Sequence, residues 1–219
     1  EEERDYFEAI CCNPTGQERY LEVREERFVD IFDNAIGLLC LFRDITMERH
    51  HEQQIIAAAQ TDDLTGLFNR RGFYQEMAQR WKEQQAILLY IDLDDFKKVN
   101  DTYGHDVGDR ALQMVAENIV DFFPQTVIAR MGGDEYVVVF LDQQQSLEGV
   151  SRKAQAFTQL VGQQFAKEQD FRQMTVSVGI AQALAGEELT LDDLLRRGDQ
   201  ALYQAKEQGK NRCMVYKSD

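Results

Sequence analysis

The sequence predicts a mixed α/β domain in which helices pack on one sheet, and three observations carry that expectation. From Thr61 onward helical and strand patterns alternate. The segment 86–92, AILLYID, is apolar until its last residue. TVIARMGGDEYVVVF (126–140) reads as two strands about a Gly-Gly turn. A chain of 219 residues has room for one ordinary domain and part of a second.

The elements follow in order. Between Arg19 and Ile45 the pattern gives short strands: RYLEVREERF alternates apolar and polar residues, and IGLLCLF (36–42) reads as a buried strand. Two or three strands leave edges and one apolar face uncovered, so this stretch is not a domain by itself. Asp44 and Thr46 offer capping oxygens to a helix through MERHHEQQIIAAAQ, whose apolar positions are too sparse for a long coiled coil. RRGFYQEMAQRWKEQQ (70–85) is helical, 86–92 is a strand, and DRALQMVAENIVDFF (109–123) is an amphipathic helix. The hairpin follows, then a helix over 147–168, the strand TVSVGIAQA (175–183), a helix over 191–209 and a last strand, CMVY (213–216).

Composition bounds the function. Hydrophobic residues make up 43% of the chain, which is globular rather than disordered. With 24 basic and 39 acidic residues the net charge is −15, so the surface repels phosphate backbones and anionic lipid; nucleic acid and membrane contact are not expected. A nucleotide is still allowed where a site is locally basic or bridged by a metal. Cys11, Cys12, Cys40 and Cys213 show no zinc spacing, and the expectation is a reduced, cytoplasmic location. No apolar run approaches the ~20 residues of a membrane span, and EEERDYFEAI is no signal peptide; a membrane anchor upstream stays open.

Four segments carry chemistry. In Asp92-Leu93-Asp94-Asp95-Phe96-Lys97 a buried strand ends in three carboxylates within four residues, which a divalent metal would reconcile; a solvated strand end is the equal alternative. In Arg130-Met131-Gly132-Gly133-Asp134-Glu135-Tyr136 a type I′ turn accounts for the glycines but not for adjacent acids running into VVVF. If that hairpin pairs beside 86–92, Asp92 and Asp134 reach one sheet edge, as in two-metal nucleotidyl transfer. Asn100 and Asp109, in a loop dense in Asn, Asp and Gly, could read a guanine edge; alone they fit a loop and a helix N-cap better. Lys206 and Lys210, four apart at a helix end, suit the helix dipole and would also serve as phosphate ligands. His105 and Tyr203 have no partner in the sequence that would give them a mechanistic role.

Taken together, TDDLTGLFNRRGF, DLDDFKKVNDTYGHDVGD, MGGDEY and ALYQAKEQGKNR resemble the ordered motifs of the GGDEF family of diguanylate cyclases, from about Thr61 to Tyr216. The resemblance implies a central, mainly antiparallel sheet flanked by helices, of the nucleotidyl-cyclase and polymerase-palm type. It implies that Asp92, the Leu93 carbonyl and Asp134 hold Mg²⁺ (or Mn²⁺), and that Glu135 supports the metal or a ribose hydroxyl. It further implies that Asn100 and Asp109 bind guanine, and that Phe96, Lys97, Lys206 and Lys210 line the triphosphate of a GTP substrate. Each domain would hold one GTP, so the family's reaction, two GTP to cyclic di-GMP and two pyrophosphates, implies an antiparallel homodimer. The alternative is a catalytically silent domain that binds GTP or a protein.

The chain departs from the family pattern at three places. Tyr136 stands where Phe is usual, and Lys210 where Arg is common. Phe123 and Thr126 occupy the positions of the family's RxxD product-inhibition motif, so feedback through that site is not expected. Residues 19–51 resemble the tail of a PAS sensor domain running into its exit helix. The expected organisation is a PAS-like fragment over 1–45, a linker helix over 46–60 and the cyclase-type domain over 61–219.

Overall fold

The computed structural model describes residues 6–12, 16–51, 60–81, 84–141 and 145–217. The chain divides into two compact units, Glu1–Ala58 and Ala59–Asp219.

The first unit is an antiparallel meander of β1 (Tyr6–Cys12), β2 (Glu18–Val29) and β3 (Ala35–Asp44). Strand β1 goes beyond the sequence pattern. Its acidic lead-in hides a short alternating run that pairs with β2, placing Phe7 against Val23 and Ile10 against Tyr20. Phe7, Val23 and Phe42 line up across the three strands, but only Val23 is buried. Strand β3 was expected to be buried; instead Ile36, Leu38 and Phe42 are exposed, because three strands cannot cover both faces. The Asp44 carboxylate accepts from the Thr46 amide, and the Thr46 hydroxyl accepts from the Tyr20 amide. Residues 46–51 are helical; the continuation expected over 52–59 lies outside the described residues.

The second unit holds a five-stranded sheet in the order β5-β6-β4-β7-β8. Its strands are β4 (Ala86–Asp94), β5 (Val127–Gly132), β6 (Glu135–Phe140), β7 (Thr175–Ala183) and β8 (Cys213–Val215). All pairings are antiparallel except β7 with β8. Strand β4 is central, and its apolar run is explained by cover on both faces. Ile87, Leu89, Ile91 and Leu93 join a core with residues of α3 (His105–Phe122) and α4 (Leu147–Phe165). Ala86 and Leu88 join a second core with residues of α1 (Arg70–Arg80) and α5 (Leu191–Glu207).

Several boundaries differ from the sequence reading. Helix α1 ends at Arg80, where the Trp81 amide caps onto the Met77 carbonyl and its indole N–H donates to the Gln84 carbonyl. The loop dense in Asn and Asp contains an extra helix, α2 (Phe96–Tyr103), separated from α3 only by Gly104 at φ 89°. Helix α3 therefore starts at His105, and Asp109 lies inside it rather than capping it. Helices α4 and α5 stop short of the expected ends.

One close approach fixes the second face. A Cβ on Gly179 of β7 would lie 2.0 Å from the Gly198 carbonyl oxygen of α5, and one on Gly198 would lie 2.5 Å from Leu88. Gly179→Ala should therefore destabilise the domain by about 1–3 kcal/mol. Gly162→Ala, in helix α4 with only ordinary contact distances around it, should be neutral or stabilising. Urea unfolding of both variants checks this; equal effects would refute the close-packing reading.

Candidate active site

The site is built where β4 meets the β5–β6 hairpin. Asp92 lies directly opposite Glu135 in the β4–β6 register, so the two carboxylates occupy one face of the sheet. Asp134 sits in the turn, and its backbone carbonyl accepts from the Leu93 amide at 3.4 Å. The turn differs from the expected Gly-Gly centre: Gly133 and Asp134 are its central pair, Gly132 pairs with Glu135, and a register shift falls between Arg130 and Gly132. Gly132 and Gly133 both take positive φ, at 146° and 52°, which accounts for the two glycines.

Arg130 braces this hairpin. Its Nη1 donates to both carboxylate oxygens of Asp62 at 3.0 and 3.1 Å, while Nε and Nη2 donate to the Gly133 carbonyl at 2.9 and 2.7 Å. Burial acts to raise the Asp62 pKa, but hydrogen bonds from Thr65 and the Arg130 guanidinium outweigh it and hold the carboxyl below its usual range. The opening motif TDDLT is thereby tied to the signature turn. The sequence alone gave no sign of this pairing across 68 positions.

The three carboxylates at and just beyond the end of β4 have three different sets of partners. Asp92, 6% exposed, is paired with Lys206 at 2.7 Å. Burial pushes its pKa up to about 6; the Lys206 hydrogen bond opposes the rise, and Asp134 and Asp94 add to it. Asp94 accepts from Ser177 at 2.8 Å, Thr175 at 2.6 Å and the Asn211 amide at 3.2 Å, an arrangement that joins β4 to β7 and to the turn after α5. Asp95, with φ 61°, takes Lys98 at 2.7 Å and Lys210 at 3.0 Å. Lys206 and Lys210 do not share a helical face as their spacing suggested. Helix α5 ends at Glu207, and Gly209, Lys210 and Asn211 all have positive φ. Both lysines nevertheless reach the end of β4.

Two further groups were not apparent from sequence. Tyr90 of β4 donates its hydroxyl to Glu135 Oε2 at 3.1 Å, and burial, reinforced by the Glu135 charge, holds that phenol far above its ordinary pKa. Tyr136 is fully buried, and its hydroxyl donates to the Leu112 carbonyl of α3 at 2.9 Å, so the Tyr that replaces the family's Phe has a partner.

The candidate guanine residues lie across the α2–α3 junction. The Asn100 side-chain oxygen is buried and, among the described residues, has no hydrogen-bond partner. It lies over Gly108, where a Cβ would come within 1.9 Å of it and within 3.2 Å of the Phe96 ring. Asp109 follows Gly108 directly and is exposed, as is Lys97.

These residues suit a hard cation. Among the described residues no three His, Cys, Asp or Glu side chains form a ready-made metal cluster. Mg²⁺ does not require one, since it commonly binds one or two carboxylates and completes its shell with substrate phosphates and water. Crowding by Asp134 and Asp94 around buried Asp92 is the charge excess such an ion would relieve. Because the Leu93 amide faces the hairpin, its carbonyl faces the same neighbour, beside Asp134.

A family model described as diguanylate cyclase, GGDEF domain, matches residues 59–212. The chain belongs to the GGDEF family. Diguanylate cyclase DgcM of Escherichia coli (strain K12) is 34% identical over 197 residues, 85% of this chain and 45% of that protein. Cyclic di-GMP phosphodiesterase PdeB of Shewanella oneidensis is 31% identical over 186 residues, 83% of this chain and 21% of that protein. The chain thus spans less than half the length of either relative. Among solved structures, the coiled coil and GGDEF domain of DgcB from Caulobacter crescentus, in complex with c-di-GMP, superposes with a TM-score of 0.69 at 30% identity, covering 78% of this chain and 93% of that one. The GGDEF match begins at residue 59 and so does not bear on the PAS-like reading of the N-terminal unit.

The raised Asp92 pKa has a definite sign for stability. Its folded value, about 6, lies above the 3.8 of an ordinary aspartate, so the ion-free protein binds the extra proton between those values and loses stability as pH rises through them. At pH 7 the cost is on the order of 3 kcal/mol. In EDTA at neutral pH, Asp92→Asn should therefore melt higher than the wild type, and the gap should close below about pH 4. An Asn variant that melts lower at pH 7 would refute the assignment.

Proposed function

We propose that the chain is an active diguanylate cyclase that condenses two GTP into cyclic di-GMP and two pyrophosphates. The observation that carries this reading is the juxtaposition of Asp92, Asp134 and Glu135 at one end of β4 and β6, with Lys206 and Lys210 reaching the same end.

In this reading Asn100 and Asp109 take the guanine edge. The otherwise unpartnered Asn100 oxygen accepts from the base, and the Asp109 carboxylate accepts from its ring and exocyclic N–H groups. Phe96, Lys97, Lys206 and Lys210 line the triphosphate and offset its charge in a chain of net charge −15. Asp92, the Leu93 carbonyl and Asp134 would hold Mg²⁺, with Mn²⁺ as a substitute. When bound there, the ion would supply Lewis acidity at the phosphate and lower the pKa of the attacking hydroxyl. Glu135 would support the ion or the ribose hydroxyl.

The 3′-oxygen of one GTP attacks the α-phosphorus of the other. A P–O bond forms, the bond to the β-phosphate oxygen breaks, and pyrophosphate leaves. The reciprocal attack closes the ring. One domain offers one such site, so catalysis requires an antiparallel homodimer. The N-terminal unit, read as a PAS-like fragment with its linker helix, is the regulatory part. The cytoplasm, where GTP and Mg²⁺ are abundant, is the place of action.

Incubation with GTP and Mg²⁺, beside Asp134→Ala and a form dimerised by a fused coiled coil, tests the reading. Cyclic di-GMP from the wild type and a loss of at least about 100-fold in the variant are expected. Product from both would remove Asp134 from the reaction, and none from the forced dimer would favour a silent GTP- or protein-binding domain.

Product feedback through the 123–126 segment is not expected. Phe123 is buried against Phe140 and Phe157, and the Thr126 hydroxyl donates to the Phe123 carbonyl, so neither offers a charge to a phosphate. Thr126→Ala should leave cyclic di-GMP inhibition unchanged in a product titration; relief of inhibition would contradict this.

A further inference from the structure

The sheet register sets two carboxylates directly opposite each other. Asp92 and Glu135 face each other across β4 and β6 on the same side of the sheet. Side chains directly opposite on paired strands approach to roughly 5 Å, where like charges are destabilising. Asp92 has the Lys206 ammonium as its counter-charge. Glu135 instead has a phenol: the Tyr90 hydroxyl donates to Oε2 at 3.1 Å.

Residue 90 is two positions before Asp92, so its side chain emerges on the same face, one step further into the sheet. From there it reaches Glu135 along the diagonal of the ladder. The contact ties one Glu135 oxygen to a donor set deeper in β4 than Asp92. Among the described residues this hydrogen bond falls on Oε2, which leaves Oε1 for a further partner.

The fold holds the donor rigidly. Tyr90 pairs with Val137 on one side and Gly179 on the other. Its Cβ packs under Gly198 of α5, where a Cβ on Gly198 would stand 3.4 Å from it. A Phe or Leu at position 90 would fill the same space in this second core, so packing alone does not call for the hydroxyl.

We propose that Tyr90 is a positioning residue for Glu135, fixing one carboxylate oxygen so that the other is presented to the substrate or its ion. The inference rests on the cyclase reading and adds a residue that none of the four sequence motifs contains.

The test is Tyr90→Phe, assayed in the coiled-coil-dimerised protein with GTP and Mg²⁺. The expected result is a fall in kcat of about tenfold with KM for GTP within about twofold, and a melting temperature within about 2 °C of wild type. A purely structural tyrosine would lower the melting temperature or shift KM along with kcat. Unchanged kcat would overturn the proposal.

A second measurement does not depend on turnover. In a melting cycle of Tyr90→Phe and Glu135→Ala, the small melting shift caused by Tyr90→Phe should differ measurably once Glu135→Ala is also present. Strict additivity would overturn the proposal even if the forced dimer made no product. A silent wild type with a coupled cycle would instead remove the cyclase reading and leave the Tyr90–Glu135 link in place.

Discussion

Carboxylate crowding at the end of β4 is the constraint on which the rest of the domain depends. Asp92, Asp94, Asp95, Asp134 and Glu135 come together where a strand buried on both faces leaves the core. Isolated charges there would cost several kcal/mol each. The fold gives four of the five a separate answer. Asp94 receives two hydroxyls and a backbone amide, Asp95 two lysines, Asp92 one lysine, and Glu135 a phenol. Asp94 is the most completely satisfied and acts as a structural rivet. Asp92 is less comfortable: burial and the neighbouring carboxylates hold its pKa up despite the Lys206 contact.

That division separates roles which sequence alone merges. Three acids within four residues suggested one metal-binding cluster, yet strand geometry splits them. Asp92 and Asp94 share a face but meet different neighbours, Glu135 on β6 and Ser177 on β7, while Asp95 has left the strand and heads α2. The sheet and most of its helices were legible because apolar periodicity is strong in buried elements, and the strand 175–183 matches to the residue. Helix α2 was not legible, because Asn100, Asp101 and Thr102 favour turns locally and only Val99 is buried to hold the helix down. The exposed β3 was misjudged for the opposite reason: an apolar pattern cannot say whether anything covers it.

The candidate site shows the same limit. Residues inside short motifs could be picked out by their chemistry, whereas their supports could not. Asp62 and Arg130 are 68 positions apart, and Tyr90 and Glu135 are 45 apart. These pairings depend on sheet order, with β6 between β5 and β4, and a local pattern does not contain that order. Lys210 illustrates how spacing can mislead. The i, i+4 relation to Lys206 implied one helical face, but the left-handed run 209–211 turns the chain so that Lys210 meets Asp95 and the Asn211 amide meets Asp94.

Packing far from the carboxylates decides whether the lysine reaches them. Helix α5 crosses β7 at Gly179 and β4 at Leu88 and Tyr90, and at both points the missing Cβ of a glycine lets helix and sheet approach. Lys206 lies eight residues beyond Gly198, about 12 Å along the helix at 1.5 Å per residue. A helix held off by even one methyl group at Gly198 would pivot or lift, and the 2.7 Å contact to Asp92 at its far end would open first. The Lys206 charge also lies in the last turn, where the helix dipole favours a cation. Two glycines with no chemistry of their own thus set the height of the helix, the helix sets the reach of the lysine, and the lysine sets how much charge Asp92 must carry uncompensated.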